Sequence, residues 1–61
     1  MQLLQFFAYE HLPAHLQVVS KEFHNLAHWI AENVTPGPEQ TTALRKLLES
    51  KDCAVRAMIA K

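Results

Sequence analysis

Apolar residues recur every three or four positions in the first half of the chain. They occupy positions 16, 19, 23, 26, 27, 30 and 34. At about 100° per residue, these positions fall within roughly a third of a helix circumference. Pro13 suits the first turn of a helix, where a missing N–H costs nothing. The pattern therefore predicts an α-helix from about Pro13 to Asn33.

The same periodicity returns after the segment "TPGPE", residues 35–39. Apolar side chains then stand at positions 43, 44, 47, 48, 54, 55, 58 and 59. Pro38 fits the first turn of a new helix, and Glu39 lies near the positive end of its dipole. These features predict a turn over residues 34–38 and a second helix over about residues 39–60.

Residues 1–12 show no helical period, yet "LLQFFAYEHL" is too apolar to stay in water. We expect an arm, with at most a short turn of helix, that docks on its own hairpin or on a neighbour. The short connection makes the two helices antiparallel neighbours. The predicted fold class is all-α: one domain, an antiparallel two-helix hairpin with an N-terminal arm, assembling into a helical homo-oligomer.

Oligomerisation is expected because two helices cannot enclose a core, and the apolar stripe of the second helix spans roughly 160°. Pairing two hairpins into a four-helix bundle, or a higher assembly, would cover it. Val18 and Trp29 form a second, narrower apolar strip on the first helix. It is either a further contact surface or a place where Trp29 packs over the arm of its own chain.

Composition narrows the possible functions. The chain has 61 residues and one Cys, so it has no internal disulfide, and a reduced, cytoplasmic setting is expected. The opening residues lack the features of a signal peptide, and no run is long enough to span a bilayer. The net charge of zero argues against a DNA or RNA polymer as partner.

The four histidines form two i,i+4 pairs, residues 11 with 15 and 24 with 28. That spacing on a helix suits a metal, but "HNLAH" has Asn25 where a zinc protease needs Glu. Surface histidines are the favoured interpretation. Cys53 would need a base and a cleft to act as a nucleophile, so a plain thiol is favoured and no enzyme activity is expected.

Cationic positions on the second helix are candidates for anion binding. Thr42, Arg45 and Lys46 lie in its first turns, where hydroxyl groups, free N–H groups and basic side chains can hold a phosphate, although a solvated, salt-bridged face is the simpler interpretation. Lys51 interrupts the apolar stripe. Its ammonium could reach water, pair with a carboxylate of a partner subunit, or face an anionic ligand in a pocket between chains.

A family resemblance covers nearly the whole chain. "FAYEHLP", a helix ending in "LAHWI", and "PEQTTALRKLLESKDCAVRAMIAK" resemble small phage hairpin proteins, the anti-CBASS cyclic-oligonucleotide sponges, whose hairpin domain is shared with some anti-Thoeris sponges. The resemblance implies a helical homo-oligomer, typically a hexamer, in the host cytoplasm. It would sequester cyclic di- and trinucleotides in pockets between protomers without cleaving them, and so evade host immunity.

The resemblance also implies roles for single residues. Tyr9 matches a base-stacking Tyr; Lys21 falls near a phosphate-binding Lys, with His24 as a rival; and Lys61 stands where relatives often carry Arg. Lys51 and "CAV" depart from the pattern. The predicted ligand-binding set, with no metal and no cofactor, is Tyr9, His11, Lys21, His24, Thr42, Arg45, Lys51 and Lys61.

Two alternatives remain open at this point. The chain could be a structural or regulatory oligomerisation hairpin that binds no small molecule. It could also be a metal-binding helical module that uses His24 and His28.

Overall fold

A computed structural model describes residues 2–60. Its elements are a 3-10 helix over Gln2–Phe7, helix α1 over Ala14–Asn33 and helix α2 over Pro38–Ile59. No strand occurs among the described residues. The prediction of an all-α hairpin with an N-terminal arm is therefore confirmed. Pro13 lies just before α1, and the connection between the helices is residues 34–37.

Gly37 makes the turn between the helices possible. Its φ is 152° and its ψ is −174°, a conformation that residues with a Cβ rarely adopt. Pro38 follows as the first residue of α2 with its φ already fixed for a helix. The backbone N–H of Thr41 donates to the carbonyl of Gly37 at 3.0 Å and closes the first turn of α2.

Gln40 connects the start of α2 to the end of α1. Its side chain is only 3% exposed. The amide Nε2 donates to backbone carbonyls at 3.4, 3.3 and 3.0 Å, those of Ile30, Ala31 and Val34. The last carbonyls of a helix lack partners further along it, and Gln40 donates to those at the end of α1, of which the Ile30 carbonyl also accepts the Val34 backbone N–H at 2.9 Å.

The core lies where the arm meets both helices. Phe7, Ala27 and Leu44 are each 0% exposed. Six half-buried side chains surround them: Leu3, Leu4, Phe23, Ile30, Leu47 and Leu48. Full burial of a side chain such as Phe7 contributes about 1.5–3 kcal/mol. The arm therefore docks on its own hairpin, which decides between the two places that the sequence left open.

Three elements do not cover all the apolar surface. The principal extents are 37 × 18 × 15 Å, and the Cα radius of gyration is 11.8 Å, against about 10.5 Å for a compact chain of this length. Val18 is 71% exposed and Trp29 is 57% exposed, so Trp29 does not bury itself under the arm. None of the helices in the described part of the chain is long and apolar enough to cross a membrane.

Candidate functional site

Aromatic rings gather on one side of α1, where the end of the arm crosses it. The rings of Tyr9 and His24 meet edge to face, with centroids 5.0 Å apart at 72°. His24 and His28 are one turn apart on α1, and their ring centroids are 4.4 Å apart at 48°. We call the surface formed by Tyr9, Lys21, His24 and His28 the histidine face.

The arm fixes the orientation of the central ring of this face. Nδ1 of His24 lies 3.3 Å from the backbone carbonyl of Phe7, which is itself buried. A carbonyl only accepts, so this hydrogen bond requires the proton on Nδ1. In the neutral ring, Nε2 is then the acceptor. The hydrogen bond to Phe7 therefore defines the tautomer of the neutral His24 ring.

Charges flank the rings on two sides. Lys21 is exposed and lies one turn before His24 on α1, so its ammonium shares the histidine face. Glu10 follows Tyr9 and accepts a hydrogen bond from the Tyr9 backbone N–H at 3.2 Å. Backbone N–H groups of Glu10 and Tyr9 lower the pKa of the Glu10 carboxyl. The face thus offers π surface, an imidazole acceptor and a cation, which suit bases and phosphates, with the Glu10 carboxylate as an anion beside them.

A cleft of about 190 Å³ opens elsewhere, between the end of the arm, α1 and α2. We call it the arm cleft. It is lined by His11, Leu12, Ser20, Lys51, Asp52, Val55 and Arg56.

Lys51 joins the arm to α2. Its Nζ donates to the backbone carbonyl of Phe6 at 2.5 Å and lies 5.9 Å from the centroid of the Phe7 ring. The 3-10 helix leaves its last carbonyls without partners, and the ammonium caps one of them. The charge in the apolar stripe therefore holds the arm in place, a role that the three interpretations of Lys51 from sequence did not include.

Ser20 lies at the opposite wall of the arm cleft. It is 0% exposed, and within the described part of the chain its Oγ has no hydrogen-bond partner. The sequence pattern did not single out this residue. The available signal was its position: Ser20 lies four residues after Leu16 and three before Phe23, on the apolar face of α1.

The other predicted residues lie apart from these two surfaces. Thr42 and Arg45 are exposed in the first turns of α2, and neither lines the arm cleft. Arg45 precedes Lys51 by six residues, a rise of about 9 Å along the helix. Lys61 lies outside the described residues. The structure thus brings Tyr9 and His24 together, places Lys21 one turn away on the same helix, and places His11 and Lys51 at the arm cleft.

The Cys53 thiol and the histidine pairs were the remaining candidates for a nucleophile and for metal ligands. Cys53 is exposed, and its Sγ accepts a hydrogen bond from Arg56 Nη2 at 3.3 Å. Over residues 2–60, no three side chains of His, Cys, Asp or Glu converge to hold a metal ion.

Comparison with family models, with curated proteins and with solved structures gave no match to this chain.

Proposed function

We propose that this protein binds cyclic di- or trinucleotides without cleaving them and so withholds them from their receptors. In the setting implied by the family resemblance, it is a phage immune-evasion protein that acts in the host cytoplasm. The observation that carries the proposal is the histidine face. Tyr9 and His24 present ring surface on which a base can stack, and Lys21 supplies a cation beside it.

The pocket is proposed to form between protomers of a homo-oligomer, in the hexameric form that the resemblance implies. The histidine face is one open wall, and a cyclic oligonucleotide needs a concave site that covers most of its surface. A second copy of the chain would supply the opposite wall. Exposed apolar side chains such as Val18 and Trp29 support association, because burying them removes apolar area from water.

Calorimetry against a panel of cyclic di- and trinucleotides tests the binding. Saturable binding of at least one member is expected, and chromatography should recover that ligand intact. Stacking on an aromatic side chain contributes about 1–3 kcal/mol per base, so Tyr9→Ala should weaken binding about 5- to 150-fold. Tyr9→Phe is the matched control and should bind like the original protein. Failure of every member of the panel to bind would overturn the proposal.

The contribution of the Lys21 charge at the histidine face is tested with a separate pair of variants. Lys21→Ala should weaken nucleotide binding and reduce its dependence on salt, because an ammonium near a phosphate releases bound counterions. Lys46→Ala removes another exposed cation, from α2, and serves as the control. Equal losses in both variants would mean that only net charge matters, and would contradict the assignment of Lys21.

A second candidate function is an oligomerisation hairpin that binds no small molecule. It is favoured by the apolar surface of α1, where Leu26 is 47% exposed beside the more exposed Val18 and Trp29. An open apolar depression of about 300 Å³ lies along it, lined by Glu22, Phe23 and Leu26. Native mass spectrometry of protein purified from cells that produce cyclic nucleotides separates the two functions. Oligomers that retain nucleotide support sequestration, and oligomers that never carry nucleotide support the hairpin alone.

A further inference from the structure

We propose that the arm cleft is an anion site that takes a phosphoryl group, as in inorganic phosphate, a phosphate monoester or a phosphodiester. The arm cleft is a different surface from the histidine face, because no residue of that face lines it.

The first observation is the buried hydroxyl of Ser20. A buried polar group without a hydrogen bond is rare, because burial removes its hydrogen bonds to water and no protein group replaces them. Ser20 is 0% exposed, its Oγ has no partner within residues 2–60, and the residue lines the cleft. A phosphate oxygen in the cleft would accept the hydrogen bond that this hydroxyl can donate.

The second observation is the charge around the same cleft. Lys51 and Arg56 line it with two cations, against the single carboxylate of Asp52. An ammonium has three N–H groups, and the Phe6 carbonyl takes one of them. A guanidinium binds phosphate oxygens through paired N–H groups. His11 adds a ring nitrogen that can donate to the same anion.

The size of the cleft agrees with an anion of this kind. The cleft measures about 190 Å³, whereas about 10–15 Å³ of such volume holds one water molecule, so the cleft is large enough for a tetrahedral anion. The Ser20 hydroxyl is buried in the structure. The proposal therefore requires flexible side chains at the cleft, such as Lys51 and Arg56, to change rotamer when an anion binds.

Lys51 connects the arm to α2, so an anion bound at its ammonium should affect how firmly the arm is held. Lys51 already holds the carbonyl of Phe6, so an anion at its remaining N–H groups would neutralise charge at the junction of arm and helix. Bound phosphate should therefore slow hydrogen exchange in residues 2–7. This readout does not depend on any nucleotide.

A titration with inorganic phosphate, followed by ¹H–¹⁵N NMR at constant ionic strength, tests the proposal. Saturable shifts are expected at amides that line the cleft, among them Ser20 and Lys51. Hydrogen bonds to charged groups are strong enough that Ser20→Ala and Arg56→Gln should each raise the Kd about 10-fold or more. The matched controls, Ser50→Ala and Lys46→Gln, replace exposed residues of α2 outside the cleft and should leave the Kd unchanged.

Two results would overturn the proposal. One is the absence of saturable shifts in the folded protein up to tens of millimolar phosphate. The other is binding that Ser20→Ala leaves unchanged, or that Lys46→Gln weakens as much as Arg56→Gln does. Competition then identifies the source of the phosphoryl group in a protein that binds phosphate. Displacement of phosphate by a cyclic dinucleotide assigns the site to a phosphodiester, and simultaneous binding assigns it to phosphate or a monoester.

Discussion

Replacing Ser20 by alanine should make the protein more stable, although most substitutions of buried residues destabilise. The side chain is 0% exposed and its Oγ lacks a partner among residues 2–60. A buried hydroxyl without a hydrogen bond costs about 1–3 kcal/mol relative to its state in water. Alanine also favours a helix by about 0.5 kcal/mol over serine. Ser20→Ala should therefore raise the free energy of unfolding by roughly 1.5–3.5 kcal/mol.

The assay is urea unfolding followed by circular dichroism, in phosphate-free buffer and at one protein concentration. Phosphate is left out because an anion bound to the folded state would add its own stabilisation. Ser50 is exposed in α2, so Ser50→Ala reports helix propensity alone and should add only about 0.5 kcal/mol. At about 4–8 °C per kcal/mol for a domain of this size, Ser20→Ala should also raise Tm by roughly 6 °C or more.

The opposite sign would refute the reasoning. If Ser20→Ala unfolds at lower urea than the original chain, the hydroxyl makes a hydrogen bond in solution. The carbonyl of Leu16, one turn earlier on α1, is the acceptor that a helical serine most readily reaches. In that case the Ser20 hydroxyl would already donate to an acceptor within α1, and the phosphate titration would be expected to fail as well.

Three further substitutions test how the fold is held together. Gln40→Glu puts a carboxylate that cannot donate against three carbonyls and should lower the free energy of unfolding by about 2–4 kcal/mol, whereas a loss below 0.5 kcal/mol in urea unfolding would contradict this role. Gly37→Ala should cost about 1–3 kcal/mol from backbone strain alone, because a Cβ there meets nothing within 4 Å; an unchanged Tm would contradict that. Lys51→Met keeps the stem but loses the hydrogen bond to Phe6, about 1 kcal/mol, so hydrogen exchange in residues 2–7 should quicken about 5-fold. An unchanged exchange rate would show that the apolar contacts alone hold the arm.

The sequence determined the two helices and the turn between them. The apolar period, the proline before α1 and the "TPGPE" segment placed α1 and α2 within about one residue of their observed bounds. These signals are local: a helix depends on residues three and four apart, and the turn depends on one glycine and one proline. The exposed strip of Val18 and Trp29 was also visible in the sequence as a second apolar line on the first helix.

The candidate site was predictable only in part. Tyr9 and His24 were named as separate candidates, and the structure shows their rings in contact. The family resemblance, rather than the pattern of residues, brought Tyr9 forward. Ser20 was missed because a serine on the apolar face of a helix is common and usually finds a partner. Only the tertiary structure shows that this hydroxyl is buried and has no partner among the described residues.

Tertiary structure alone decided what the arm and Lys51 do. The sequence left the arm free to dock on its own hairpin or on a neighbour, and it left Lys51 with three possible roles. Lys51 and Phe6 are 45 residues apart, and their hydrogen bond exists because Phe7 buries itself against Ala27 and Leu44. Helical periodicity describes neighbours along one helix. It carries no information about which backbone carbonyl of a distant segment lies beside a given ammonium.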